Sequence, residues 1–145
     1  MRSRHDFPDL NVKAPDGIKP GGKSYKVIVV ENKDFQRKQI VQILESEKYN
    51  VVAQASNGQE ALELYEEYKK DLDLITTTLD MPVLDGYAFL YELAKKNPKT
   101  KIAFISEDTT KGVIEDLLKM GAADFILKPI NRLTILNRIK QILHQ

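Results

Sequence analysis

Five short runs of apolar and β-branched residues, each followed by a helical pattern, constrain the fold of this 145-residue chain more than any other feature. The predicted strands cover residues 25–30, 50–55, 72–77, 101–105 and 124–127, and the predicted helices cover residues 35–47, 59–68, 87–96, 111–120 and 133–143. Strands that alternate with helices form a parallel sheet through right-handed crossovers, with helices on both faces. The sequence therefore predicts an α/β fold with a doubly wound, five-stranded parallel sheet and five helices.

The order in which the strands pair decides which loops meet. For a domain of this size we expect the flavodoxin-like order 2-1-3-4-5, whose crevice lies at the carboxyl ends of the first and third strands. That order brings Glu31 and Asn32, which follow strand one, next to Thr78, which follows strand three. Ser106 and Lys128 reach the same edge from the ends of strands four and five.

Residues 1–24 differ in composition from the rest of the chain. Prolines and glycines interrupt this stretch repeatedly, and its apolar residues follow neither a strand period nor a helix period. Such a composition predicts an extended, mobile N-terminal arm, with residues 25–145 forming the domain. If the arm docks, Phe7 and Leu10 are the side chains that we expect to make contact.

Composition argues against several classes of function. The net charge of +1 gives no electrostatic reason to expect nucleic acid or an anionic membrane as a partner. The chain has no cysteine, and its two histidines, His5 and His144, stand at opposite ends, so we expect neither disulfides nor a zinc site. No apolar run approaches the roughly 20 residues of a membrane-spanning helix. Without a signal-peptide pattern at the N-terminus, the expected location is cytoplasmic.

Four motifs and one further position occur in the order and at the spacing of a known family. They are KVIVVEN (residues 26–32), ASNGQEAL (residues 55–62), DLITTTLDMPVLDG (residues 73–86), GAADFILKP (residues 121–129) and the serine that ends strand four. Each motif alone is a weak signal, but their joint spacing is specific. Over residues 25–144 the chain resembles the receiver domain of two-component response regulators, most of all the single-domain chemotaxis type.

The resemblance implies a role for each residue in the crevice. In the family, two acidic residues after strand one and an aspartate after strand three hold Mg²⁺, and that aspartate accepts a phosphoryl group from a phosphohistidine on a partner kinase. A serine or threonine after strand four and a lysine after strand five bind the acyl phosphate, and an aromatic residue on strand five changes rotamer with the switch. The matching positions here are, in that order, Glu31 and Asn32, Thr78, Ser106, Lys128 and Phe125.

Two of these positions lack the carboxylate on which the chemistry of the family depends. Asn32 stands in place of a metal ligand and Thr78 in place of the phosphoacceptor, while Glu31 is one methylene longer than aspartate. We therefore predict that the Mg²⁺ site is lost, that no other cofactor is bound and that the chain is not an enzyme. Glu107 adds a charge where the family usually has a small residue. The nearest carboxylate that could replace the acceptor is Asp80.

Lys128 loses its usual partner when position 78 is not acidic. A buried ammonium group needs a counter-ion. The candidate counter-ions are Glu31, Asp80 and Glu107. A bridge between Lys128 and one of them would hold the pocket in one state without phosphate. Simpler roles stay open for two other positions, because Ser106 could be a cap for the loop into helix four and Phe125 could belong to the core.

The kept motifs and the altered pocket together predict an atypical receiver, or pseudo-receiver, that acts as a phosphorylation-independent interaction module in two-component or chemotaxis-type signalling. The resemblance implies that a signalling protein docks on helix four, strand five and helix five of a monomer or weak dimer. The candidate contact residues, if exposed, are Lys119, Asn131, Arg132, Asn137 and Arg138. The alternative is a functional response regulator that is phosphorylated at a non-standard carboxylate such as Asp80. An FMN or nucleotide binder ranks last, because no glycine-rich loop follows strand one.

Overall fold

The computed structural model describes residues 14–96 and 98–144, and it confirms the predicted alternation of strands and helices. The strands are β1 (Lys26–Val30), β2 (Asn50–Ala55), β3 (Leu74–Thr77), β4 (Lys101–Ser106) and β5 (Asp124–Leu127). The helices are α1 (Asp34–Ser46), α2 (Gly58–Tyr68), α3 (Gly86–Ala94), α4 (Lys111–Lys119) and α5 (Arg132–Leu143), with a 3₁₀ turn at Lys69–Asp71. Within the described residues, none of the helices has the length and apolar character needed to cross a membrane.

The five strands form one parallel sheet in the predicted order β2-β1-β3-β4-β5. β1, β3 and β4 lie inside the sheet and are covered on both faces, which explains why their residues are mostly apolar or β-branched. The register places Val30 beside Thr77 and Thr77 beside Phe104, so these strands end at nearly the same level. The residues that follow them therefore meet in one crevice, as the strand order predicts.

Helices cover both faces of the sheet, so the domain has two apolar layers. α1 and α5 pack on one face, and their most buried residues there include Ile40, Leu44, Ile135 and Ile139. α2, α3 and α4 pack on the other face, and theirs include Ala61, Phe89, Leu93 and Leu117. Because both layers are closely packed, the loops at the carboxyl edge of the sheet are attached to rigid elements at both ends.

Four helices begin with a side-chain cap. The capping residues are Asn57, Asp85, Thr110 and Asn131. Each accepts a hydrogen bond from the backbone N–H three residues later, which satisfies a donor that the helix cannot use itself. α1 begins without such a bond, because Lys33 occupies its N-cap position. The side chain of Asn32 is therefore available to the crevice.

The loop between β3 and α3 is held closely against its neighbours. A Cβ atom on Gly86 would lie 2.4 Å from the carbonyl oxygen of Thr78, and one on Gly58 would lie 2.3 Å from the carbonyl oxygen of Leu84. Only glycine allows two backbones to approach so closely. The N–H of Gly86 also donates to the carbonyl of Leu79 at 2.8 Å. This loop is therefore a fixed frame around the end of β3.

Residues 14–24, the described part of the predicted arm, lie against the domain. The N–H of Gly17 donates to the carbonyl of Glu47 at 2.7 Å, and the N–H of Tyr25 donates to the carbonyl of Gly17 at 2.8 Å. Phe7 and Leu10, the predicted docking residues, lie outside the described residues. The prediction of an extended arm over residues 1–24 therefore stays a prediction.

Replacing Thr76 with valine is expected to raise the free energy of unfolding by about 1 kcal/mol. Thr76 lies on β3, is 1% exposed, and its hydroxyl has no hydrogen-bond partner among the described residues. Valine has almost the same shape but carries no polar atom that must lose its hydration. Urea denaturation of the two chains measures the difference.

Thr77 provides a matched control for this substitution. It is equally buried and directly follows Thr76, but its hydroxyl donates to the carbonyl of Thr78 at 3.0 Å. Thr77→Val therefore removes a formed hydrogen bond and should not stabilise the chain. Loss of stability in Thr76→Val would instead indicate that a buried water molecule satisfies the Thr76 hydroxyl.

Candidate functional site

A buried ion pair joins the carboxyl ends of β1 and β5. Glu31 directly follows β1 and its side chain is completely buried, while Lys128 follows β5 and its side chain is 4% exposed. Lys128 Nζ donates to Glu31 Oε1 at 2.6 Å. The predicted bridge between Lys128 and a pocket carboxylate is thereby confirmed, and Glu31 is the partner among the three candidates.

The second carboxylate oxygen of Glu31 is also engaged. Glu31 Oε2 accepts the backbone N–H of Lys33 at 3.1 Å. With its amide oriented toward its two acceptor neighbours, Asn32 donates from its side-chain nitrogen to Glu31 Oε2 and to the carbonyl of Asp80, both at 3.0 Å. Asn32 therefore ties the end of β1 to the loop after β3. It acts as a hydrogen-bond donor at a position where a metal ligand would offer a lone pair.

Thr78 and Ser106 meet in the crevice at the ends of β3 and β4. Both residues are buried, and their hydroxyl oxygens lie 3.2 Å apart. Ser106 Oγ also accepts the backbone N–H of Leu79 at 2.9 Å. Thr110 caps α4, and the described bonds of the Ser106 side chain go to Thr78 and Leu79, so none of them supports the simpler role of Ser106 as a cap for the loop into α4. The sequence thus correctly places these two hydroxyls together. The structure adds that they are directly hydrogen-bonded.

Asp80, the alternative acceptor, lies outside the buried part of the crevice. The residue is exposed, and its backbone carbonyl rather than its carboxylate contacts Asn32. β3 ends at Thr77, so the strand alternation that would put Asp80 on the same side as Thr78 does not continue. Asp80 therefore lies near the crevice. Among the described hydrogen bonds and ion pairs, its carboxylate contacts none of the other predicted pocket side chains.

Glu107 stands at the rim of the crevice. Its carboxylate lies 3.5 Å from Lys33 Nζ, and both side chains are about half exposed. An ion pair that is so accessible to water contributes little to stability. Glu107 nevertheless leaves a carboxylate beside Ser106, where an incoming anion would approach.

Phe125, the predicted switch aromatic, belongs to the core. It is 7% exposed, and its ring stacks on that of Phe104 with centroids 5.8 Å apart and an angle of 13° between the planes. Such pairs stabilise beyond the area that they bury. The core role of Phe125 is confirmed, and its role in a switch stays a prediction.

The predicted docking face on α4, β5 and α5 is exposed, with one exception. The exposed candidates are Lys119, Asn131, Arg132 and Asn137. Arg138 is instead held by Asp124 through two bonds of 2.5 Å, and this hydrogen-bonded carboxylate raises the pKa of the guanidinium group. Arg138 is therefore less available for a partner than the sequence suggests.

Three exposed leucines on the same elements are missing from the predicted contacts. Leu118 on α4, Leu127 on β5 and Leu133 on α5 are 43%, 50% and 68% exposed. Helical periodicity provides the signal for Leu133, because it falls outside the apolar side of α5. Leu127 has no such signal, because an apolar residue at the end of a mostly apolar strand looks like core.

The class of protein is defined by the order of the sheet and by the crevice at the carboxyl ends of β1, β3, β4 and β5. Both features are those of a receiver domain. The sequence model of the response regulator receiver domain matches residues 27–140. The chain belongs to that family.

Within the family, the chain is similar to chemotaxis proteins. It is 36% identical over 143 residues to the chemotaxis protein CheY of Treponema pallidum, and the alignment covers 99% of each chain. It is 34% identical over 116 residues to CheY of Listeria monocytogenes, covering 80% of this chain and 96% of that one. A chain of the CheX–CheY–BeF3–Mg²⁺ complex from Borrelia burgdorferi matches with a TM-score of 0.87 and 30% identity, covering 90% of this chain and 98% of that one. The chain is therefore a CheY-like receiver domain of signal transduction.

Proposed function

We propose that this chain is a pseudo-receiver, a phosphorylation-independent interaction module in two-component or chemotaxis-type signalling. The observation that carries the proposal is the buried pair between Lys128 and Glu31, with 2.6 Å between their charged atoms. This pair engages the lysine of the pocket and its one buried carboxylate at the same time. A pocket whose charges are already paired needs no phosphoryl group to hold its loops in place.

The side chains of the pocket do not suit Mg²⁺. This ion requires hard oxygen ligands in nearly octahedral geometry, usually with one or two carboxylates. Thr78 offers a neutral hydroxyl, Asn32 presents an amide N–H, and both oxygens of Glu31 already accept hydrogen bonds. Within residues 14–96 and 98–144, no group of three or more His, Cys, Asp or Glu side chains is arranged to hold a metal ion. Our proposal therefore includes the loss of the metal site.

Thr78 is equally unsuited to be a phosphoacceptor. Phosphoryl transfer needs an in-line nucleophile and a cation that neutralises the phosphoryl oxygens. The Thr78 hydroxyl is buried and bonded to Ser106, and no base among its described contacts could remove its proton. A phosphate ester on threonine would also lack the lability of an acyl phosphate. In this proposal the chain is not an enzyme and does not catalyse its own phosphorylation.

The partner in this proposal is a signalling protein that docks on α4, β5 and α5 of a monomer or weak dimer. Exposed leucines beside polar side chains are typical of surfaces that bind another protein. The leucines are Leu118, Leu127 and Leu133. CheX and CheY form a complex in the structure from Borrelia burgdorferi, which supports a protein partner for this chain as well.

The alternative function is a response regulator that is phosphorylated at Asp80. The carboxylate of Asp80 is exposed to a kinase, and its backbone is bonded to Asn32 at the crevice. The similarity to chemotaxis proteins named CheY also fits a regulator of this kind. However, Lys128 and Ser106, which would have to bind the phosphoryl group, are engaged by Glu31 and Thr78.

Amide NMR spectra of the chain with Mg²⁺ and beryllofluoride separate the two functions. A pseudo-receiver is expected to show no saturable shifts at residues 31, 78 and 106, because the pocket offers neither metal ligands nor an acceptor carboxylate. Saturable shifts would contradict the proposal. If those shifts vanish in Asp80→Asn but persist in Thr78→Val, the acceptor is Asp80 and the alternative function is correct.

A further inference from the structure

A cavity with several lysines lies at the amino-terminal edge of the sheet, opposite the crevice. Its volume is about 570 Å³, which is within the range of roughly 300–1,000 Å³ that is usual for binding pockets. Its charged lining residues are Lys19, Lys69, Lys70, Lys99, Lys101, Asp71 and Asp73. Cations therefore outnumber carboxylates in the lining, although the whole chain has a net charge of only +1.

Each of the two carboxylates of the cavity lies within 4.0 Å of a lysine ammonium group. Asp73 Oδ1 lies 2.9 Å from Lys19 Nζ, and Asp71 Oδ2 lies 3.9 Å from the Nζ of Lys26, which starts β1. Three exposed lysines of the lining have no carboxylate within 4.0 Å in the described part of the chain. They are Lys70, Lys99 and Lys101. The cavity thus carries three positive charges that the described fold does not compensate.

The ends of helices explain only some of these lysines. Lys69 and Lys70 follow α2, where the partial negative charge of the helix C-terminus favours a cation. Lys69 also pairs with Glu66 at 2.8 Å. Lys99 and Lys101 stand just before and at the start of β4, outside any helix. Their presence beside Lys70 is therefore not a consequence of helix capping.

Most of the apolar lining is recessed, which restricts the kind of ligand. Tyr25, Tyr65, Leu72 and Ile142 each expose less than a tenth of their surface. A membrane-binding surface inserts its apolar side chains into the bilayer, and side chains that do not project cannot do so. The lining also contains neither arginine nor an exposed aromatic ring, on which nucleic-acid bases stack. A narrow anionic chain with an apolar side group fits the cavity better than a membrane surface or a nucleic acid does.

We propose that this cavity binds an acidic peptide segment of a protein partner. Carboxylates of the segment pair with Lys70, Lys99 and Lys101, and one apolar side chain contacts the recessed part of the lining. The first thirteen residues of the chain are not the occupant, because they contain three basic residues and only two acidic ones. The cavity lies at the edge opposite the phosphoacceptor pocket, so this proposal is independent of the pseudo-receiver function.

The test is a titration of the ¹⁵N-labelled full chain with a synthetic peptide of alternating glutamate and aspartate around a central leucine. Saturable amide shifts are expected at residues 69–73 and 99–101. The affinity should fall as salt is added, because exposed charges are screened. The triple variant Lys70→Gln, Lys99→Gln, Lys101→Gln should bind roughly tenfold more weakly, since each exposed pair contributes a few tenths to one kcal/mol.

Two controls make the test decisive. The variant Lys38→Gln, Lys48→Gln, Lys95→Gln changes the net charge equally at exposed lysines outside the cavity, and it should bind the peptide like the parent chain. Equal weakening in both triple variants, or no saturable shifts in the parent, would overturn the proposal. A third outcome would also overturn the proposal: the peptide does not bind, but the chain sediments with vesicles of equal parts phosphatidylserine and phosphatidylcholine. In that case the sedimentation would depend on the three cavity lysines.

Discussion

Replacing Glu31 with glutamine is expected to lower the free energy of unfolding by about 3 kcal/mol. The substitution keeps the shape of the side chain but removes the carboxylate that lies 2.6 Å from the Lys128 ammonium, and the Lys128 side chain is 4% exposed. An uncompensated buried charge costs far more than a lost surface contact. Urea denaturation at neutral pH measures the change, and the midpoint should fall without a change in slope.

A second substitution shows whether the loss comes from the pair itself. Glu31→Gln with Lys128→Met removes both charges and should recover most of the stability, because an apolar side chain of similar length fills the same space. The matched control is Glu107→Gln, which breaks the half-exposed pair with Lys33 and should cost less than about 0.5 kcal/mol. If Glu31→Gln costs no more than this control, the buried pair does not hold the pocket, and the central argument for the pseudo-receiver is lost.

The fold could be predicted almost completely from the sequence. Buried parallel strands require continuous apolar runs, and Gly86, Asp85 and Asn57 mark the turns and helix starts between them. The observed ends of the strands and helices differ from the predicted ends by one or two residues. The local pattern alone does not show where the last backbone hydrogen bond of an element forms. Residues 1–24 were the least predictable from sequence, because composition predicts an arm, whereas contacts such as that of Gly17 with Glu47 depend on the folded domain.

The members of the candidate site were also predictable, but their partners were not. Strand order alone brings Glu31, Thr78, Ser106 and Lys128 together. Which carboxylate would pair with Lys128 depended on where β3 ends, since alternation would put Asp80 on the side of Thr78 only if the strand continued from Thr77 through Asp80. Likewise, the net charge of +1 hides the three uncompensated lysines of the amino-terminal edge, because charge composition carries no information about position.

Restoring carboxylates at positions 32 and 78 is expected to raise the affinity for Mg²⁺ by roughly a hundredfold. Each carboxylate attracts a dication by several kcal/mol before desolvation, and a net gain of only about 1.4 kcal/mol for each substitution gives a factor of ten. In the double variant Asn32→Asp, Thr78→Asp, the clustered negative charges should lower stability without metal, and added Mg²⁺ should restore it. Calorimetric titration and the melting temperature with and without Mg²⁺ measure both effects.

The matched control is Asn32→Asp, Thr78→Asn, which has similar volumes but one carboxylate fewer and should bind Mg²⁺ about tenfold more weakly than the double variant. Beryllofluoride binding is a harder test, because Glu107 leaves a carboxylate next to Ser106 at the rim. If the double variant binds Mg²⁺ but takes up beryllofluoride only after Glu107→Ala, three side chains account for the lost chemistry. If it folds but binds no Mg²⁺, missing carboxylates are not the cause, and the bonds that Glu31 makes to Lys128, Lys33 and Asn32 close the pocket by themselves.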